Sequence, residues 1–310
     1  MEPPLTIAQP PSRRGFSLQP PGGGECPGQV SGPTSGPRPD SPRAARLAWD
    51  VPAGEVGDGG SRMRVVFPLS RPWPGGPVVL WGGALPAGSL KYLTFSHHLE
   101  SAPAETKGLV ELSGASSALA LDALGRERGL PVVALTDTLG TAYLRANGFG
   151  GEVRTVHGFT QAWELALDYE RQGWFWPRQL ANGSLVESVE SWTTRLLDIV
   201  RDVYPAVRCV VCGFGTGATV AGLYRPFSAA GYEVVGLQPA PGRTMPGWRR
   251  WAEQSLGSKD LFYPYREDVP LETADAKAVD SLAALLAWAR SERRPEEVLV
   301  ISHNARPPFE

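Results

Sequence analysis

From about residue 64 onward, short apolar runs alternate with longer amphipathic stretches, and that rhythm leaves few architectures open. Strand candidates lie at residues 64–67, 77–81, 108–112, 131–135, 152–156, 208–212, 233–238 and 297–301. They are rich in Val, Leu and Ile without clean alternation, which predicts strands covered on both faces. Between them, apolar residues recur at three- and four-residue spacing and so build single helical faces. One such face holds Val189, Trp192, Leu196, Ile199 and Val203; others hold Ala162, Leu165, Ala166 and Tyr169, or Leu282, Leu285, Leu286 and Ala289. Alternating strand and helix predicts an α/β fold with open, mostly parallel sheets flanked by helices. No internal repeat interrupts this pattern.

The first 60 residues have another character. They hold 12 of the 30 prolines and 11 of the 36 glycines, with few aromatic or β-branched residues. Such a segment buries too little apolar surface to offset its ordering entropy. Residues 1–62 are therefore expected to be a disordered tail and 63–310 the folded region, with a smaller subdomain at roughly 93–160. Met63 stands directly before the first strand candidate and is an alternative translation start to Met1. Charge is balanced, with 30 basic and 32 acidic residues, so neither nucleic acid nor an anionic membrane is an expected partner. No apolar run reaches the roughly 20 residues of a membrane span, and with no apolar core behind a basic cap near the N-terminus a secretory signal is not expected. Three cysteines form no disulfide framework. A cytoplasmic protein is expected.

Ligands of open α/β sheets bind beyond the carboxyl ends of the strands, and three loops there carry small or hydroxyl residues. Residues 212–222 read C-G-F-G-T-G-A-T-V-A-G, following a strand and opening a helix. Glycines let backbone amides approach a phosphate, and the helix N-terminus adds favourable partial charge. The spacing is G-x-G-x-G rather than the dinucleotide G-x-G-x-x-G, and the next strand ends in Gln238 instead of an acid. Phosphate binding without adenosine is expected, against a plain packing turn. The second loop, Ser113, Gly114, Ala115, Ser116 and Ser117, is suited to a carboxylate at a helix N-terminus. Its rival readings are an N-cap serine and a nucleophile elbow on Ser116 with His303 as partner. The third is Ala87-Gly88-Ser89-Leu90-Lys91. Lys91 is one of only four lysines against 26 arginines, and arginine cannot form an imine.

In order, these loops resemble the fold-type II pyridoxal 5′-phosphate (PLP) enzymes, the cysteine synthase group in particular. Gly88-Ser89-Leu90-Lys91 is similar to that group's G-S-x-K, whose lysine holds PLP as an imine. Glu111-Leu112-Ser113-Gly114-Ala115-Ser116-Ser117 is similar to E-T-S-G-N-T-G, the substrate-carboxylate loop. Gly215-Thr216-Gly217-Ala218-Thr219 is similar to G-T-G-G-T, the phosphate cradle. Gln179-Leu180-Ala181-Asn182, followed by Glu187 and Thr193-Thr194, resembles the Q-F-x-N…T segment. After the last strand, Ser302 or Asn304 falls where a Ser or Thr faces the pyridine nitrogen.

The resemblance covers about residues 64–305. It implies a tryptophan synthase beta-like fold, PLP as cofactor, and a possible homodimer. Lys91, Gly213, Gly215, Thr216, Gly217, Thr219 and Ser302 or Asn304 would hold the cofactor. Ser113, Gly114, Ser116 and Gln179 would hold a small amino-acid substrate. The implied reaction is β-replacement or β-elimination on an O-activated serine, in which the freed Lys91 amine takes the Cα proton and an aminoacrylate accepts a small nucleophile.

The departures are specific. Ala115 stands where the group has asparagine, a loss of one hydrogen bond to a charged group worth about 1.5–3 kcal/mol. Tyr92-Leu93 replaces an Asp-Arg pair, Ala218 replaces a glycine, and a bulky basic loop at 244–250 replaces a glycine-rich one. Arg249 or Arg250 could supply the lost carboxylate contact. A weakly catalytic protein that acts by binding is the rival reading, and a serine hydrolase using Ser116 the remote one. Cys209 and Cys212 lie three apart on a strand, hence on opposite faces, and no metal site is expected.

Overall fold

The computed structural model describes residues 45–51, 63–113, 115–245, 247–251, 269–275, 277, 278 and 280–308. The order is β1 (Ala45–Val51), β2 (Met63–Ser70), β3 (Val78–Trp81), α1 (Lys91–His98), β4 (Leu109–Leu112), α2 (Ser116–Arg128), β5 (Val132–Thr136), α3 (Thr138–Ala146) and β6 (Glu152–Thr155). There follow α4 (Phe159–Arg171), α5 (Ser184–Val203), β7 (Cys209–Gly213), α6 (Ala218–Ala229), β8 (Glu233–Gln238), β9 (Leu271–Thr273), α7 (Ser281–Glu292) and β10 (Val298–Ser302).

Seven strands form one sheet in the order β1-β2-β3-β10-β7-β8-β9, and three form another in the order β4-β5-β6. In the larger sheet β3, β10, β7, β8 and β9 run parallel, with β1 and β2 antiparallel at one edge; the smaller sheet is parallel throughout. The expected α/β class with two mostly parallel sheets is what the chain adopts.

The central strands β3, β7 and β10 are buried along their whole length, in keeping with their near-continuous apolar runs. On one face Leu80, Val210, Leu299 and Ile301 pack with Trp192 and Leu196 of α5 and Leu223 and Phe227 of α6. On the other, Val79, Val211 and Val300 pack with Leu285 and Trp288 of α7. Cys212 belongs to the first cluster and Cys209 to the second, so the C-x-x-C pair is split across the sheet. Burial pushes both thiols up to about 12.

Three details depart from the sequence expectation. Residues 45–51, inside the stretch read as a disordered tail, pair with β2 as an edge strand; Leu47, Trp49 and Val51 alternate there in a short run that the surrounding Pro/Gly composition masks. The rest of 1–62 lies outside the described residues. β9 has only three residues, too few for a periodic signal. β6 is largely exposed, because it is an edge strand with a neighbour on one side only.

Candidate active site

Lys91 is delivered by a short turn tied to the carboxyl end of β10. Its backbone N–H donates to Ser89 Oγ (3.2 Å), and the N–H of Leu90 donates to the carbonyl of His303 (3.1 Å). The next residue, Tyr92, is fully buried and donates to both carboxylate oxygens of Glu127 at 2.9 Å, fastening α1 to α2. Lys91 itself is half-buried, with Nζ 5.9 Å from the centre of the Phe95 ring. Burial lowers its amine to about 8, while Glu111 pulls it back upward. Near neutral pH such an amine is uncharged far more often than an ordinary lysine.

Lys91 opens onto a cavity of about 290 Å³ whose opposite wall is the glycine loop between β7 and α6. Gly213, Gly215, Thr216, Gly217 and Thr219 all line it. Gly217 caps α6 at φ 89, a left-handed conformation that only glycine adopts without strain. The loop at 247–249 lies flush on the cradle: a Cβ on Gly213 would fall 2.2 Å from the Trp248 indole, and one on Gly215 would fall 2.6 Å from the carbonyl of Gly247.

A third wall comes from the smaller sheet. Ser113, at the carboxyl end of β4, accepts from the N–H of Ala115 (3.2 Å), and Ser116 opens α2. Both line the cavity, as do Ser117 and Gln179. Gly114 lies outside the described residues. The Ser117 hydroxyl donates to Gln179 Oε1 (2.8 Å), and Gln179 Nε2 faces Glu111 Oε1 at 3.5 Å. Glu111 is completely buried, and burial raises its carboxyl to about 7 despite the Leu112 amide, Lys91, Gln179 and Trp176.

The segment after β10 closes the cavity. His303 and Asn304 line it, whereas Ser302 does not: its Oγ accepts from the N–H of Ala305 (3.2 Å) and stabilises the turn. His303 Nε2 lies 3.2 Å from Thr219 Oγ1, and burial together with Lys91 lowers its imidazole to about 4. Arg249 lines the cavity, while Arg250 donates to the carbonyl of Pro239 (2.7 Å). A second cavity, of about 460 Å³, shares Ser116 and Asn304 with the first. Among the described residues no group of His, Cys, Asp or Glu is arranged to hold a metal ion, and no helix is long and apolar enough to cross a membrane.

One lysine, one glycine cradle at a helix N-terminus and one hydroxyl loop thus share a single cavity. The sequence model of the pyridoxal-phosphate dependent enzymes matches residues 83–294, a span containing all three. The chain belongs to this family. No curated protein sequence matches it. Among solved structures, O-ureido-L-serine synthase is similar at 21% identity and a TM-score of 0.59, over 77% of this chain and 89% of that one. O-acetylserine dependent cystathionine beta-synthase from Helicobacter pylori is similar at 16% identity and a TM-score of 0.53, over 76% of this chain and 89% of that one. Maize serine racemase is similar at 15% identity and a TM-score of 0.57, over 74% and 83%. At these identities the likeness establishes the fold.

As a member of a PLP-dependent family, the chain has a donor set that fits the cofactor. Lys91 offers an amine made nucleophilic by burial, and Gly215, Thr216 and Gly217, at the start of α6, line the same cavity and offer backbone donors for a phosphate. The elbow reading of Ser116 falls away, since His303 faces Thr219 and the family is another one. Two residues of the site escaped the sequence reading. Glu111 was visible only as part of a motif, although an acid inside an apolar strand is itself a signal; His303 was considered only as a partner for Ser116.

Proposed function

We propose that this protein catalyses β-replacement or β-elimination on an O-activated, serine-like amino acid, with Lys91 as the catalytic residue. The observation that carries the reading is the convergence of Lys91, the 213–219 cradle and the Ser113–Ser116 loop on one cavity. Bound PLP supplies an electron sink for bonds at the substrate Cα and Cβ. Lys91 would hold the aldehyde carbon and, once released as a free amine, take the Cα proton; its lowered proton affinity suits both tasks. Gly215, Thr216, Gly217 and Thr219 would bind the phosphate. Ser113, Gly114, Ser116 and Gln179 would orient the substrate carboxylate, with Arg249 near enough to the same cavity to offset the amide missing at Ala115. Asn304 or His303, both neutral, would face the pyridine nitrogen. A carboxylate there would stabilise ring protonation, and its absence favours loss of a β-substituent over racemisation.

The purified protein should therefore be yellow, with a visible imine band that Lys91→Ala abolishes. A colourless protein that stays colourless with added PLP would overturn the proposal. Ala115 motivates a second reading, a PLP-binding protein with weak catalysis. It predicts the same band but no spectral change on adding O-acetylserine, whereas the enzyme reading predicts a red shift.

A further inference from the structure

Glu111 has no part in the chemistry above, yet it is the most costly side chain near the site to bury. It sits between Val110 and Leu112 on β4, wholly out of solvent. Oε1 accepts from the N–H of Leu112 (2.7 Å) and faces Gln179 Nε2 at 3.5 Å, while Oε2 has no hydrogen-bond partner. Among the described residues, the charged group that bears on Glu111 is Lys91 of α1; Gln179 and Trp176, the other side chains acting on it, are neutral. On the lysine side, the titratable neighbours are Glu111 from β4 and His303 beyond β10, with the neutral Phe95 ring on its own helix. His303 is uncharged near neutral pH, so Glu111 alone supports a positive Lys91.

We propose that Glu111 is a positioning residue for Lys91: a buried countercharge that governs how readily the lysine amine is freed. Gln179, bonded to Ser117 and facing Glu111, links this carboxyl to the loop assigned to the substrate. The inference rests on Lys91 being the reactive lysine of the site. It has a direction. Burial alone drives the amine toward the neutral form, and an ionised Glu111 opposes that drift. Without the carboxylate the amine would be free over a wider range of pH, but it would also be less able to carry a proton.

The small number of lysines makes this measurable. Competitive acetylation of the full-length protein, cleared of any bound PLP with hydroxylamine and dialysis, read across pH at each lysine by mass spectrometry, gives the midpoint of Lys91 with Lys107 and Lys277 as internal references. Wild type should titrate near 8 at Lys91. Glu111→Gln should lower that midpoint, with more free amine between pH 7 and 8, where the wild-type carboxylate is ionised, and leave the references unmoved. An unshifted Lys91 midpoint would overturn the proposal. Should Glu111→Gln fail to fold, the reciprocal variant serves. In Lys91→Met, the infrared carbonyl band of protonated Glu111 should persist to higher pH than in wild type, and an unchanged band would overturn the proposal equally. Both experiments are run on protein without PLP. Failure to bind cofactor would therefore refute the functional reading without moving these midpoints, and the converse holds.

Discussion

His98 closes the helix that begins at Lys91, and it is buried in the neutral form. Its Nε2 accepts from Asn182 Nδ2 (3.2 Å), its ring lies 5.4 Å from that of Phe175, and burial, aided by His97, lowers it to about 4. An unfolded histidine titrates near 6.5, so the folded state binds the proton less tightly than the unfolded one. The stabilisation is fully present above pH 6.5 and is lost as pH falls toward 4, by about 3 kcal/mol in all. Denaturant melts of wild type and His98→Gln at pH 7 and pH 4.5 should diverge, with the variant losing less stability on acidification. Parallel losses would show that protonation of His98 is not what limits the protein in acid. Because His98 and Lys91 share α1, acid should loosen the lysine's own helix, and cofactor retention should decline over the same window.

At the level of elements, α5 and α6 meet through Gly222. A Cβ there would fall 2.4 Å from Val189 Cβ and 2.9 Å from the carbonyl of Val186. Helix propensity by itself favours Gly222→Ala by about 1 kcal/mol. Overpacking between two helices that cannot separate without disturbing Trp192 and Leu223 costs about 1–3 kcal/mol. The second effect should win, and thermal unfolding of Gly222→Ala should show a lower Tm; a raised Tm would mean the helices part freely.

The same scale shows what could be read in advance. Strands buried on both faces carry dense Val/Leu/Ile runs, and β3, β7, β8 and β10 lie within two residues of their expected ends. β9 is too short to have a period, and β1 hides in a Pro/Gly-rich stretch, so pairing rather than local composition defines both. The motif loops were equally legible, because glycine and hydroxyl residues at strand ends have few other uses. Glu111 and His303 were not, since their importance comes from proximity to Lys91 across segments distant in sequence.

For the whole molecule, the cavity draws its walls from both sheets. Lys91 and the cradle come from segments attached to the larger one, and Ser113, Ser116 and Ser117 follow β4 of the smaller one. A ligand that engages all of these walls binds only when both sheets are in place, so its binding energy adds to the stability of the whole fold. At a thousandfold excess over its Kd the gain is about 4 kcal/mol. Saturating PLP should therefore raise the Tm of the full-length protein as one transition, without splitting it into two. Lys91→Ala should retain only the part of the shift that comes from the phosphate cradle. A bulky change there, such as Gly215→Val, should remove most of the shift even with Lys91 present, because the new side chain would strike the carbonyl of Gly247. Should PLP shift wild type and Gly215→Val alike, the cofactor would have to be held by the lysine alone, and the glycine loop would revert to a packing turn.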